Sequence, residues 1–273
     1  MFKRKILSKL EAWKQDERHK PLILRGARQV GKTTVVNEFG SQFDNYLYFN
    51  LEISESVRLF EMDIPLNDLV NMLFASLGKS QKEGSTLIFI DEIQNSPKTI
   101  ALLRYFYEQR PDLYVIAAGS LLENLVDVNV SFPVGRVMYL ALRPCSFYEF
   151  LGAIGKNNLL TILSQKAEYS IAFHEQLMHQ FNQYTIIGGM PEAVQHYAET
   201  QDIIAIEDVY ETLVQAYKDD SEKYARSNKL TDVVRFILSY GWAFSGETIT
   251  LGNFANSGYK SREVGEAFRL LEK

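Results

Sequence analysis

The sequence is poor in cysteine and histidine for its length. Its 273 residues include one cysteine and four histidines. The single thiol, Cys145, cannot form a disulfide within the chain, and the scattered histidines do not form a metal-ligand cluster. These shortages exclude a disulfide-stapled secreted domain and a zinc-type site. They favour a reducing compartment, and we expect a cytoplasmic protein.

Long apolar runs are also missing. No window of about 18 uninterrupted apolar residues occurs, so the sequence predicts no membrane-spanning helix. The first twenty residues are basic, but they alternate charged and apolar residues at helical spacing and lack the continuous apolar region of a signal peptide. We therefore expect an amphipathic helix at the start of the chain and no membrane partner.

Charge is distributed unevenly along the chain. Residues 1–143 carry 18 basic and 17 acidic side chains, residues 144–222 carry 3 and 12, and residues 223–273 carry 8 and 5. With 46% hydrophobic residues there is ample material for a core. These shifts predict three parts, 1–143, 144–222 and 223–273, with different surfaces. The basic surplus of the last part is too small to establish nucleic-acid binding.

The first part contains five short apolar runs that are separated by helix-patterned segments. Strands of this length, joined by connections long enough for crossover helices, are typical of βαβ units. We therefore predict an α/β fold with a mainly parallel five-stranded sheet, and a helical stretch over 52–84 that is interrupted at Pro65. The runs are PLILR (21–25), NYLYFNLE (45–52), TLIFIDE (86–92), LYVIAAGS (113–120) and RVMYLAL (136–142).

A glycine-rich loop follows the first of these runs and precedes a helical segment. Residues 26–33 match the phosphate-binding pattern GxxxxGK[ST] at every fixed position. Its glycines let backbone N–H groups turn toward a phosphate, its lysine adds a positive charge, and its threonine offers a hydroxyl to Mg²⁺. The alternative is a glycine turn with a chance lysine. The candidate nucleotide-binding residues are Gly26, Ala27, Arg28, Gln29, Val30, Gly31, Lys32, Thr33 and Thr34.

Two carboxylates end the third apolar run, which is continuous enough for a strand buried on both faces. In a phosphate-loop site Asp91 would bind Mg²⁺ together with Thr33, and Glu92 would polarise the attacking water. Lys32 would serve catalysis as well as binding, by stabilising charge on the phosphates. The alternative for Glu92 is a solvated acid that caps the following helix.

Three further residues are weaker candidates. Ser120, at the end of the fourth run, could hydrogen-bond the γ-phosphate or the lytic water, or could simply cap the next helix. Arg136 could act as a catalytic arginine in its own chain or on a neighbouring subunit, or could form an ordinary salt bridge. Arg28 is expected to project from the loop toward the acidic second part.

After Arg143 the pattern changes to apolar residues at helical spacing, with a break over 188–191 that indicates a tight turn near a nucleotide base or simply between helices. The tail from about residue 230 predicts three helices, the second over LGNFANSG (251–258), with Ser261 as the N-cap of the third. Four aromatic side chains near the tail suggest either a stacking platform or, as we prefer, core: Tyr217, Tyr224, Tyr240 and Trp242.

Several of these segments together resemble a family of bacterial and archaeal AAA-type ATPases that carry a C-terminal domain of unknown function. They are RGARQVGKTT, the Asn50-Leu51-Glu52 triplet, IFIDEIQ, AAGS, the Gly-Arg pair before LALRPCSFYEFL, and IIGGMPEAV. The resemblance implies a P-loop NTPase core with an additional strand and strand order 5-1-4-3-2, a helical lid and a winged-helix-like segment. It implies ATP and Mg²⁺ at Lys32, Thr33, Asp91 and Glu92, with Ser120 in a sensor position.

The resemblance implies an ATP hydrolase whose cycle moves the lid and the tail, and it leaves homo-oligomerisation open. The second hypothesis is a nucleotide-gated DNA-binding regulator with little turnover, in which basic residues of the last helix would face phosphates. Three acids in that helix argue against it. The chain stops at Lys273 without strands for a wing, so we expect either a truncated chain or the loss of a C-terminal domain.

Overall fold

The fold was obtained as a computed structural model that describes residues 2–81, 83–119, 133, 135–164, 171–225 and 227–272. The strands are β1 (Leu22–Arg25), β2 (Asn45–Asn50), β3 (Thr86–Asp91), β4 (Leu113–Gly119) and β5 (Met138–Ala141). The helices are α1 (Ile6–Gln15), α2 (Lys32–Gly40), α3 (Ser54–Phe60), α4 (Leu66–Ser76), α5 (Pro97–Gln109), α6 (Phe147–Ala153), α7 (Asn157–Ser164), α8 (His174–Ile187), α9 (Pro191–Thr200), α10 (Glu207–Tyr224), α11 (Asn228–Tyr240) and α12 (Ser261–Glu272).

The five strands form one parallel sheet, which confirms the α/β prediction. Their order is β2-β3-β4-β1-β5, which is 5-1-4-3-2 read from the opposite edge. Each predicted apolar run contains one strand, and the helical stretch over 52–84 divides into α3 and α4 on either side of Pro65. Parallel strands bring their carboxyl ends to a single edge of the sheet, so the segments that follow them share that edge.

Apolar side chains cover both faces of this sheet. Along β3, Leu87 and Phe89 join a core with α1 and α2, whereas Ile88 and Ile90 join a core with α4 and α5. All four side chains have no solvent-accessible surface. The sequence of a strand that is buried on both faces is a continuous apolar run, because neither face contacts water.

The backbone contacts divide the chain into two compact units, Met1–Glu199 and Thr200–Lys273. The first contains the sheet. The second has its own apolar core, in which Val233 and Ile237 of α11 pack with Val264 and Ala267 of α12. The three-part division at residues 143 and 222 stays a prediction. No helix within the described ranges is both long enough and apolar enough to cross a membrane.

The tail differs from its prediction at the segment 251–258. In place of an α-helix it contains one 3₁₀ turn, Phe254–Asn256. Asn253, Ala255 and Asn256 have φ values of 55°, 49° and 59°, and successive residues in this left-handed region cannot continue a right-handed helix. The prediction of a second helix is therefore wrong, and the winged-helix assignment stays a prediction.

The third helix of the tail also starts differently from its prediction. Helix α12 begins at Ser261, and the carbonyl of Lys260 accepts a hydrogen bond from the Val264 N–H at 3.1 Å. The Glu263 carboxylate in turn accepts one from the Lys260 N–H at 2.9 Å. Lys260 thus occupies the cap position in place of Ser261, because the acid three residues on satisfies its N–H.

The tail aromatics do not all belong to the core. Tyr240 and Trp242 are 57% and 65% exposed, whereas Tyr217 packs against the core of the second unit. Helix α11 ends at Tyr240, so its apolar periodicity does not extend to Trp242. The Trp242 indole N–H donates to the Leu238 carbonyl at 2.7 Å. The core interpretation is wrong for these two residues, and the Tyr224 side chain lies outside the described ones.

The only thiol of the chain is buried in the first unit. Cys145 is 1% exposed, and burial raises its pKa to about 11. Because the thiolate is the reactive form, about one molecule in a thousand is reactive at pH 8. We expect 5,5′-dithiobis-(2-nitrobenzoate) to react with the native protein at least about 100-fold more slowly than with the guanidinium-unfolded protein.

The control for this experiment is Ser54→Cys, which places a second thiol on the exposed start of α3. One thiol of that variant should react at the rate of a free thiol while Cys145 stays slow. Equal rates for the native and unfolded wild-type protein would contradict the buried position of Cys145.

Candidate functional site

The glycine-rich loop lies at the carboxyl edge of the sheet, between β1 and α2. At its start the chain passes very close to the segment after β5, where the Leu142 N–H donates to the Arg25 carbonyl at 2.7 Å. A Cβ atom on Gly26 would lie 2.3 Å from the Leu142 carbonyl oxygen. The first glycine of the pattern is therefore required by this close approach of two backbones.

The second glycine of the pattern starts helix α2. Gly31 has a φ of 89°, in the left-handed region, and its carbonyl accepts the first helical bond from Val35 at 3.0 Å. Helix α2 follows at Lys32. The loop thus delivers the free N–H groups and the positive end of a helix dipole to the carboxyl edge of the sheet, which is a ready-made anion site.

Lys32 lies inside this loop and is 7% exposed. Its ammonium group donates to the carbonyls of Gly26 and Ala27 at 2.8 and 2.9 Å. Burial lowers its pKa, and the negative charges of Glu92 and Asp91 oppose that shift. The side chain is thus a buried cation at the centre of the loop, the arrangement that recognition of phosphate requires.

Thr33 and Asp91 join the two sequence motifs. The Thr33 hydroxyl donates to Asp91 Oδ2 at 2.6 Å, and the Glu92 N–H donates to Asp91 Oδ1 at 3.1 Å. Asp91 is 3% exposed, and burial raises the pKa of its carboxyl group. A hydroxyl and a carboxylate in contact are hard oxygen ligands, so this pair fits Mg²⁺. The described residues contain no cluster of three or more His, Cys, Asp or Glu side chains of the kind that holds other metals.

Glu92 lies beyond the end of β3 with its backbone in the left-handed region, at a φ of 53°. Its carboxylate accepts a hydrogen bond from the Gln94 side-chain amide and lines the cavity beside the loop. Glu92 occupies the N-cap position of the 3₁₀ turn Ile93–Asn95, but its side chain makes no capping hydrogen bond there. Helix α5 is capped by Ser96, which accepts from the Thr99 N–H at 3.3 Å. A non-glycine residue with positive φ is uncommon and is often found at functional sites.

A cavity of about 650 Å³ opens beside the loop, within the size range of small-molecule sites. The predicted residues that line it are Arg28, Gln29, Gly31, Lys32, Thr33, Thr34 and Glu92. Gly26 and Ala27 contribute the carbonyls that hold Lys32, and Val30 is buried in the core. The cavity is also lined by Pro191, from the predicted break over 188–191, and by residues that the sequence pattern does not single out as site candidates: Phe2, Arg4, Val35, Glu38, Glu52, Glu192 and Gln195.

The turn before α9 brings that helix to the cavity. The Cys145 N–H donates to the Gly189 carbonyl at 2.6 Å, and a Cβ on Gly189 would lie 2.4 Å from the Cys145 carbonyl oxygen. A Cβ on Gly31 would lie 3.9 Å from Pro191. The break over 188–191 is therefore a tight turn that sets the start of α9 against the phosphate loop. The Gly-Gly-Met-Pro pattern predicted this turn, and its alternative role near a nucleotide base stays a prediction.

The predicted catalytic residue Arg136 lies away from the cavity, and Ser120 lies outside the described residues. Arg136 lies two residues before β5, at the amino edge of the sheet, and its Nε donates to the Glu108 carboxylate at 3.1 Å. The phosphate loop lies at the opposite, carboxyl edge. A salt bridge, the alternative reading of Arg136, is present, and a role on a neighbouring subunit stays a prediction.

Two protein-family models match parts of this chain. Residues 18–151 match the family model of an AAA domain, and residues 178–273 match that of a domain of unknown function. No curated protein matches the chain. Among solved structures, the alignment with a chain from the structure of Drosophila ORC bound to DNA has 15% sequence identity and a TM-score of 0.37. It covers 96% of this chain and 65% of the ORC chain, so this chain spans less than two thirds of that relative's length.

The AAA match covers the loop, the Thr33–Asp91 contact and the whole sheet. Residues 26–34 and 91–92 therefore lie within the matched AAA domain. The chain contains an AAA domain over residues 18–151, followed by a domain of unknown function over residues 178–273.

Proposed function

We propose that this chain binds ATP with Mg²⁺ in the cavity beside the phosphate loop and hydrolyses it. The observation that carries the proposal is the 2.6 Å hydrogen bond between the Thr33 hydroxyl and the Asp91 carboxylate. It joins the loop to the acid-ending strand at one edge of the sheet, next to a buried lysine. A loop that served only as a turn would not need a buried cation and a buried carboxylate at its side.

Some residues of the site would bind the phosphates and Mg²⁺, and Glu92 would activate the water. The N–H groups at the start of α2 and the Lys32 ammonium bind the phosphates. Thr33 and Asp91 would hold Mg²⁺, which when bound neutralises charge on the β- and γ-phosphate oxygens. Glu92 orients the attacking water and accepts its proton.

The helical segment after the sheet supplies the other wall of the cavity. Pro191, Glu192 and Gln195 of α9 face the loop across the cavity, and Phe2 belongs to the segment before α1. We expect the base and ribose to bind among these residues, because the phosphates are fixed at the loop. Gain and loss of the γ-phosphate would then change the contacts of α9, which is how the cycle would move the lid. Movement of residues 223–273, assembly into oligomers and DNA binding stay predictions.

Lys32→Ala should weaken ATP binding by more than about 100-fold, because a charge-assisted contact to phosphate and the cation of the loop are both lost. The measurement is isothermal titration of ATP·Mg²⁺ together with phosphate release. Lys79→Ala is the matched control, since its exposed ammonium donates to a backbone carbonyl away from the cavity. Undiminished binding by Lys32→Ala would contradict the proposed site.

Glu92→Gln should bind ATP with nearly unchanged affinity and lower kcat by about 10²–10⁴-fold, the usual contribution of a general base. Single-turnover phosphate release and equilibrium titration separate these two effects. Glu55→Gln, an exposed acid on α3, should leave both unchanged. Normal kcat in Glu92→Gln would show that another group activates the water.

Arg136→Ala should leave the turnover of dilute protein unchanged, because Arg136 lies at the edge of the sheet opposite the site. Its exposed ion pair with Glu108 should contribute little to the free energy of unfolding, because water screens it. Turnover is measured from nanomolar to micromolar protein. A loss in dilute protein would contradict this placement, whereas a loss confined to concentrated protein would support action on a neighbouring subunit.

A further inference from the structure

Arg4 is a buried charge that the proposed hydrolysis does not use. It precedes α1, is 5% exposed and lines the cavity beside the phosphate loop. Arginine is almost never buried unless its donors are paired, because removal of the charge from water is costly. The partners of Arg4 therefore indicate what its burial achieves.

Each guanidinium nitrogen of Arg4 has a different partner. Nε donates to Glu149 Oε1 at 3.0 Å, Nη1 to the Val30 carbonyl at 2.9 Å, and Nη2 to the Arg143 carbonyl at 2.7 Å. The guanidinium is planar and rigid, so three acceptors in these directions fix its position. Arg4 thereby links the phosphate loop to the segment after β5 and to helix α6.

The Val30 contact bears directly on phosphate binding. The Val30 carbonyl and the Gly31 N–H belong to one planar trans peptide and point in opposite directions. A donor that holds the carbonyl on one side therefore holds the N–H on the other. Gly31 lacks the Cβ that would restrict this peptide locally, so a contact from outside the loop is needed to select its orientation.

Glu149 holds Arg4 in place from the side away from the loop. Its side chain is 9% exposed, and it also accepts hydrogen bonds from the N–H groups of Lys5 and Ser146, both at 2.9 Å. Burial favours its neutral form, but these hydrogen bonds and the charge of Arg4 outweigh burial and lower its pKa. The carboxylate is therefore a fixed anchor, tied to the first turn of α6 and to the start of α1.

We propose that Arg4 is a positioning residue that sets the Val30–Gly31 peptide in its phosphate-binding orientation, with Glu149 as its anchor. The inference rests on the proposed function, because it concerns the same loop. It assigns to the segment before α1 a part in phosphate recognition that the loop motif does not include. Arg4 acts through a backbone N–H and does not itself need to contact the nucleotide.

The experiment compares ligands that share or lack phosphates, using the full chain and displacement of a fluorescent ATP analogue. Arg4→Lys retains the charge beside Glu149 but cannot donate to the three acceptors in the directions that the guanidinium reaches. Its affinity for ATP and for tripolyphosphate should each fall about tenfold, as expected for one misdirected charge-assisted donor. Affinity for adenosine should not change. The double variant Arg4→Gln with Glu149→Gln, which removes both buried charges together, should show the same selective loss.

Arg18→Lys is the matched control, because Arg18 is exposed. Thermal unfolding of each variant shows whether it is folded at the assay temperature. Wild-type affinity for tripolyphosphate in both Arg4 variants, or an equal loss for adenosine, would overturn the positioning role. Failure of the wild-type protein to bind either ATP or tripolyphosphate would instead overturn the proposed function, and this inference with it.

Discussion

The contact between Thr33 and Asp91 depends on a constraint of the whole sheet, the parallel direction of its strands. Thr33 follows β1 and Asp91 ends β3, and β4 lies between these two strands. Only parallel strands bring both residues to one edge. The crossover helices α2, α4 and α5 cover the two faces of the sheet as a result, so the core and the site follow from the same topology.

Three charged side chains stay buried around the loop because each of them has hydrogen-bond partners there. Lys32 is satisfied by carbonyls of its own loop, Asp91 by a hydroxyl and an N–H, and Arg4 by a carboxylate and two carbonyls. Each removal of a charge from water is costly, and each set of partners offsets that cost. The same hydrogen bonds hold the buried polar groups of the site in fixed positions before any ligand binds.

The sequence predicted the parts of this arrangement that depend on local pattern. The continuous apolar run of β3 located Asp91 and Glu92, and the glycine spacing located the loop. Arg4 could not be found in this way, because one basic residue before an amphipathic helix resembles any solvated charge until the fold sets it against Val30. Arg136 was selected from its place in the sequence before the fifth strand, which does not indicate the edge of the sheet at which a residue lies. Trp242 was assigned to the core by extending a helical period past the real end of α11.

Because Gly26 lies so close to the Leu142 backbone, a substitution there does not test the phosphate loop alone. Any side chain there would enter the space of the Leu142 carbonyl, next to the bond that ties β5 to β1. A substitution at position 26 therefore displaces the edge strand as well as the loop, and loss of nucleotide binding in such a variant would report on sheet assembly. The first glycine of the motif serves the architecture of the domain, while the phosphate contacts that we propose begin at Gly31.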